Sequence, residues 1–137
     1  MIRVLVVDDF EPWRRYVRSM LQNQRQYEVI GEATDGLEGI QKAEELEPDL
    51  ILLDIGLPKL NGIAAARQIR QRAPHSRILC TSQDSSWDIA EEALRAGAQG
   101  YLVKEDAERE LMMAVSAVLR GEKFLGRRFV GRDLSGI

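Results

Sequence analysis

Leu50-Ile51-Leu52-Leu53-Asp54-Ile55-Gly56-Leu57-Pro58 runs four consecutive aliphatic residues straight into an aspartate. A short continuous apolar run bounded by turn signals reads as a strand buried on both faces, the pattern of a parallel sheet. Asp54 then falls at the carboxyl end of that strand, where open α/β sheets place their ligands. Pro58 and the Asn61-Gly62 pair mark the loop that follows.

The same signature recurs on either side. Ile2 to Val7 is apolar except for Arg3 and ends in Asp8-Asp9. Pro12 suits the first turn of a helix. Trp13, Tyr16, Val17, Met20 and Leu21 then keep helical spacing. Tyr27 to Ala33 reads as a less apolar strand nearer an edge. Thr34-Asp35-Gly36 forms a turn and cap before a helix made by Leu37, Ile40, Ala43 and Leu46, stopped ahead of Pro48. Beyond the central strand, a helix from about Leu60 to Ala73 uses Ile63, Ala66 and Ile69. Arg77 to Thr81 is a fourth strand. Ser85-x-x-Asp88 resembles a capping box for a fourth helix closed by Gly97. Gly100 to Val103 is a fifth strand ending at Lys104. Asp106 is placed to cap a last helix whose apolar face is Leu111, Ala114, Val115, Val118 and Leu119. Five strands alternating with five helices argue a doubly wound α/β domain: a parallel sheet with helices on both faces and right-handed crossovers.

At 137 residues the chain fits one domain. A chain of this size buries roughly 68–70% of its extended surface, so the core needs no staples. A net charge of −3 does not suggest a nucleic-acid binder. One cysteine excludes an internal disulfide and fits a reducing, cytoplasmic compartment. No apolar run approaches the roughly 18 residues of a membrane span. The expected division is a domain over residues 1–120 and a short basic tail over 121–137, extended or mobile, with four cations against two acids.

In such a sheet Asp8, Asp9, Asp54, Ser82 and Lys104 share one rim. Clustered carboxylates repel unless a cation is present. All-oxygen ligation suits a hard ion, and Mg2+ in particular takes one or two carboxylates and keeps waters and phosphate oxygens. A carboxylate can attack phosphorus, and a lysine can neutralise the transferring group. Singly, each residue has a plainer reading: Asp8 and Asp9 as solvated turns or caps, Ser82 as a turn residue, Lys104 as a surface lysine. Their joint placement is what singles them out. His75, Cys80 and Trp87 carry the plain readings of loop residue, buried small hydrophobe and packed or partner-facing aromatic.

The segments Val4-Leu5-Val6-Val7-Asp8-Asp9, Pro48 to Pro58 with Asn61-Gly62, Ile78-Leu79-Cys80-Thr81-Ser82, and Ala96 to Lys104 together resemble a bacterial response-regulator receiver domain, over about residues 1–120. The Gly-Tyr-Leu-Val-Lys run and last helix are most similar to the NarL/FixJ-type branch. The resemblance implies a flavodoxin-like strand order 2-1-3-4-5. It implies a phosphorylation-activated switch of a two-component system rather than an enzyme. Asp54 would be the phosphoacceptor, with Mg2+ held by Asp8, Asp9, Asp54 and a backbone carbonyl of Ile55 or Gly56, the family's spacing selecting Gly56. Lys104 would pair with the phosphoryl group. The switch hydroxyl would be Ser82, twenty-two positions before the lysine, with adjacent Thr81 as runner-up. Tyr101 matches the aromatic that follows the hydroxyl, its plainer reading being a half-buried strand tyrosine. The implied partners are a sensor histidine kinase and a downstream protein or output domain, with homodimerisation open, and with neither DNA nor membrane contact by this domain.

Two departures bear on phosphate lifetime: Gln83 follows the switch residue, and Gly56 has no side chain to position or block water. Glu105 replaces the proline common after the lysine, which fits the NarL/FixJ-type branch. The rival reading is an Mg2+-dependent phosphohydrolase with an aspartyl nucleophile. Such enzymes commonly carry a second acid two residues on, where Gly56 stands here. A nucleotide- or flavin-binding module is disfavoured by the lack of a G-x-G-x-x-G or P-loop sequence.

Overall fold

The computed structural model describes residues 1–137. Five strands, β1 (Ile2–Val7), β2 (Tyr27–Ala33), β3 (Leu50–Asp54), β4 (Arg77–Ser82) and β5 (Gly100–Val103), alternate with α1 (Glu11–Gln22), α2 (Gly36–Leu46), α3 (Gly62–Arg72), α4 (Trp87–Arg95) and α5 (Ala107–Leu119). All strand pairs are parallel in the order β2-β1-β3-β4-β5. This is the flavodoxin-like order expected from the sequence. No helix is long and apolar enough to cross a membrane.

Strand alternation splits the core in two. Leu5, Val7, Ile51, Leu53, Ile78, Cys80 and Tyr101 pack with α2, α3 and α4. Val4, Val6, Leu50, Leu52, Leu79 and Leu102 pack with Trp13, Val17 and Leu21 of α1 and Leu111, Val115 and Val118 of α5. Both faces of β3 are therefore covered, which is why its apolar run is unbroken.

Helix starts differ from expectation in detail. Asp35 caps α2 by accepting from the Glu38 N–H at 2.8 Å, as the turn implied. Asn61 caps α3 through the Ala64 N–H at 2.9 Å. The cap of α4 is Ser86, not Ser85: its hydroxyl accepts from Ile89, while Asp84 accepts from the Ser86 N–H. Leu37 is exposed, because the buried stripe of α2 runs instead through Gly36, Gly39, Ile40 and Ala43. Asp106 precedes α5 but makes no side-chain cap. Its carboxylate accepts instead from Arg128 Nε at 2.5 Å.

That ion pair belongs to a larger departure. Residues 121–137 are not extended away from the domain. Phe124 lies along β5 through a bridge to Gly100, and Phe129, in a one-turn 3₁₀ helix (Arg127–Phe129), is 4% exposed.

The loop from β3 to α3 is held by two close approaches. A Cβ on Gly62 would lie 2.0 Å from the Asp54 carbonyl oxygen, and one on Gly36 would lie 2.0 Å from the Leu60 carbonyl oxygen. Neither position has room for a side chain.

Candidate functional site

The carboxyl ends of β1, β3, β4 and β5 deliver Asp8, Asp54, Ser82 and Lys104 to one rim. A cavity of about 460 Å³ opens there, lined by Asp9, Phe10, Asp54, Ile55, Gly56, Ser82, Gln83, Asp84 and Lys104. Asp8 is buried beside it, 1% exposed, and Asp54 is 7% exposed, while Asp9 is exposed.

Asp8 and Asp54 compete for one cation. The Lys104 ammonium donates to Asp8 Oδ2 at 2.7 Å and lies 3.5 Å from Asp54 Oδ1. The other Asp8 oxygen accepts from the Phe10 N–H at 2.8 Å. One carboxylate oxygen from each of Asp8, Asp9 and Asp54 lies within 4.8 Å of the others. Burial and the Asp8 charge push the Asp54 carboxyl above its ordinary range, against the opposing pull of Lys104 and the Gly56 N–H. One lysine thus leaves the acidic cluster under-neutralised. Three convergent carboxylates with that electrostatic deficit fit a hard divalent cation of the Mg2+ type.

Ser82 lines the cavity, and its hydroxyl accepts from the Asp84 N–H at 2.8 Å. Thr81 does not line it; its hydroxyl is buried on the strand without a partner. Tyr101 is fully buried rather than half-buried, and its hydroxyl donates to the Asp84 carbonyl at 2.7 Å. Burial raises that phenol to about 12. Gln83 is exposed at the cavity mouth, where its side chain can restrict access.

Two features were not foreseen. Trp13, read only as core, touches a site residue as well: the Lys104 ammonium sits 5.1 Å from the centre of its ring, within cation–π range. Asp84 joins Ser82 to Tyr101 through its own backbone. Helical periodicity places Trp13 on a buried face but says nothing of a strand end arriving from residue 104. The Asp84 link uses main-chain atoms, which leave no residue-type signal.

Comparison with known proteins agrees with this geometry. Residues 4–116 match the family model described as the response regulator receiver domain. The transcriptional regulatory protein LiaR of Bacillus subtilis is 38% identical over 135 residues, which cover 98% of this chain and 64% of LiaR. The nitrate/nitrite response regulator NarL of Escherichia coli is 34% identical, covering 89% of this chain and 56% of its own length. The chain thus spans under two thirds of these relatives. Among solved structures, a LuxR-family two-component response regulator from Aurantimonas superposes with a TM-score of 0.85 at 34% identity, over 89% of this chain and 87% of that one. The receiver domain of a NarL response regulator from Mycobacterium tuberculosis gives 0.83 at 31%, over 88% and 98%. Sheet order, rim chemistry and sequence agree, and the chain belongs to the response-regulator receiver domain family, on its NarL-like, LuxR-type side.

Proposed function

We propose that this domain is a phosphorylation-driven switch whose acceptor is Asp54. One observation carries the reading: a buried carboxylate at the end of β3, 3.5 Å from the Lys104 ammonium, opening on a cavity shared with Ser82. An Asp54 oxygen attacks the phosphorus of a phosphohistidine on a sensor kinase. The O–P bond forms as the N–P bond breaks, and the imidazole leaves with the electron pair. Mg2+ held by Asp8, Asp9, Asp54 and the Gly56 carbonyl supplies, when bound, charge neutralisation at the transferring group. Lys104 gives up part of its hold on Asp8 to pair with a phosphoryl oxygen. The Ser82 hydroxyl donates to another, and Tyr101 follows through Asp84.

The acyl phosphate adds about 1.5–2 negative charges to a site already rich in them. Taking a two-state surface from almost entirely off to almost entirely on needs roughly 5.5 kcal/mol of differential stabilisation. The Ser82 and Lys104 contacts, made only to the phosphorylated form, are of the right kind to supply much of it. The domain itself turns over no substrate beyond its own phosphorylation and dephosphorylation. LiaR is named as a transcriptional regulatory protein; the output of this domain is a changed protein surface acting on a further unit or a second copy. Within this reading residues 1–120 are the receiver unit and 121–137 its basic appendage.

The test is intact mass after incubation with acetyl phosphate and Mg2+. One added phosphoryl group, absent in Asp54→Ala, is the expected result. A folded parent that gains no mass and binds no beryllofluoride overturns the reading. Steady turnover of p-nitrophenyl phosphate would favour the phosphohydrolase instead.

A further inference from the structure

The basic segment after α5 is not a solvated terminus. Phe124 bonds along β5, its N–H donating to the Gln99 carbonyl at 3.0 Å and its carbonyl accepting from the Tyr101 N–H at 2.9 Å. The Arg127 N–H donates to Glu110 at 3.2 Å. Arg128 reaches both Asp106 and Glu105, with contacts of 2.5, 3.1 and 2.8 Å. Phe129 closes an aromatic row, 6.0 Å from the Tyr101 ring and 5.7 Å from Trp87. Arg132 lies 5.6 Å over the other aromatic of that pair, Trp87. Asp106 forgoes the cap of α5 to hold Arg128. The segment is therefore a seated ligand of the α4–β5 face.

What it grips is the moving half of the proposed switch. Glu105 and Asp106 directly follow Lys104. Tyr101 holds the Asp84 carbonyl, and the Asp84 N–H holds the Ser82 hydroxyl. The ring of Phe129 packs edge-on against Tyr101 within one buried cluster. With the segment seated, Ser82 and Lys104 both line the cavity of Asp54.

We infer that residues 124–132 are an intramolecular partner of the α4–β5 face whose docking is coupled to the phosphorylation of Asp54. The seated segment holds Ser82 and Lys104 in the arrangement that receives the phosphoryl group. By reciprocity, a phosphoryl group on Asp54 tightens the seat. This inference rests on Asp54 being the acceptor. It makes the segment the first element to read the state of the site.

The experiment is limited trypsin digestion of the full chain with and without beryllofluoride and Mg2+, with adduct formation followed by ¹⁹F NMR. Cleavage after Arg127 and Arg132 should slow at least about fivefold when the adduct forms, a coupling of ordinary size. Phe129→Ala should abolish that protection and slow phosphorylation by acetyl phosphate by a similar factor. The surface change Arg128→Gln, which does not threaten the core, should do the same in weaker form. An adduct that forms with no change in cleavage overturns the coupling and leaves the acceptor reading intact. A folded chain with no protein-bound ¹⁹F resonance overturns both.

Discussion

Replacing Asp54 by Asn should stabilise the metal-free protein. Asparagine keeps the shape of the side chain and an acceptor for the Gly56 N–H while removing a charge that is 93% buried by its surface, at 7% exposure. At the 4.8 Å limit of the acidic cluster, two like charges repel by about 3.5 kcal/mol at an effective dielectric of about 20. Asp8 is the acid that acts on Asp54. Lys104 at 3.5 Å returns about 4.7 kcal/mol on the same scale, and it is shared with Asp8. Desolvation adds to the cost and acts in the same sense as Asp8 on the Asp54 carboxyl. With water in the open cavity screening every pair, a gain of about 1–3 kcal/mol should survive in the variant. Denaturant unfolding in EDTA at neutral pH measures it as a higher midpoint at unchanged slope. The sign with pH follows from the raised carboxyl. The folded parent holds a proton that the unfolded chain releases near about pH 3.9, so the parent loses stability as pH rises from there through the folded value. The variant has no such loss, and its advantage should shrink towards about pH 4. Mg2+ at ten times its Kd should return about 1.4 kcal/mol to the parent and much less to the variant. An Asn variant no more stable than the parent in EDTA would refute the claim that the cluster lacks a cation.

Two further outcomes follow from the same packing. Trp13→Leu removes the ring over Lys104 and leaves a cavity, so it should cost about 2–4 kcal/mol in unfolding experiments and slow acetyl phosphate labelling. Trp13→Phe should restore labelling more fully than stability, because it returns a π face but not the volume. Cys80, fully buried on β4 with its thiol pushed up to about 12 by burial and by Asp54, should resist a thiol reagent at about pH 8 in the folded protein. It should react once when the chain is unfolded; native labelling at the unfolded rate would contradict its placement.

The sheet was legible because its central strands are largely apolar runs, and the rim because β1, β3, β4 and β5 each end at a polar or charged residue. Asp54 after Leu50–Leu53 is the plainest instance. Choosing Ser82 over Thr81 needed the family's spacing, since strand alternation alone leaves two hydroxyls side by side. The α4 cap slipped by one because Ser85 and Ser86 are chemically equal, and only Asp84 bonding the Ser86 N–H decides between them. Residues 121–137 misled for a different reason. Their seat is made by Arg128 meeting acids twenty-two residues earlier and by Phe129 meeting Trp87 and Tyr101 across the fold. A segment with neither helical nor strand period gives no local sign of such contacts.

The close approaches at Gly62 and Gly36 give the site a mechanical asymmetry. Carbonyl oxygens stand where a Cβ on either residue would be: the loop bearing Asp54 is packed closely on itself at Gly62 and against the start of α2 at Gly36. The opposite wall, from Ser82 to Ser86, is exposed from Gln83 onward and is tied by isolated hydrogen bonds. The pocket works as a vice with one fixed jaw and one sliding jaw. New charge at Asp54 should therefore move the looser side more, towards α4 and β5. Lengthening the β3–α3 loop should therefore blunt the response, while changes in the β4–α4 loop should retune it.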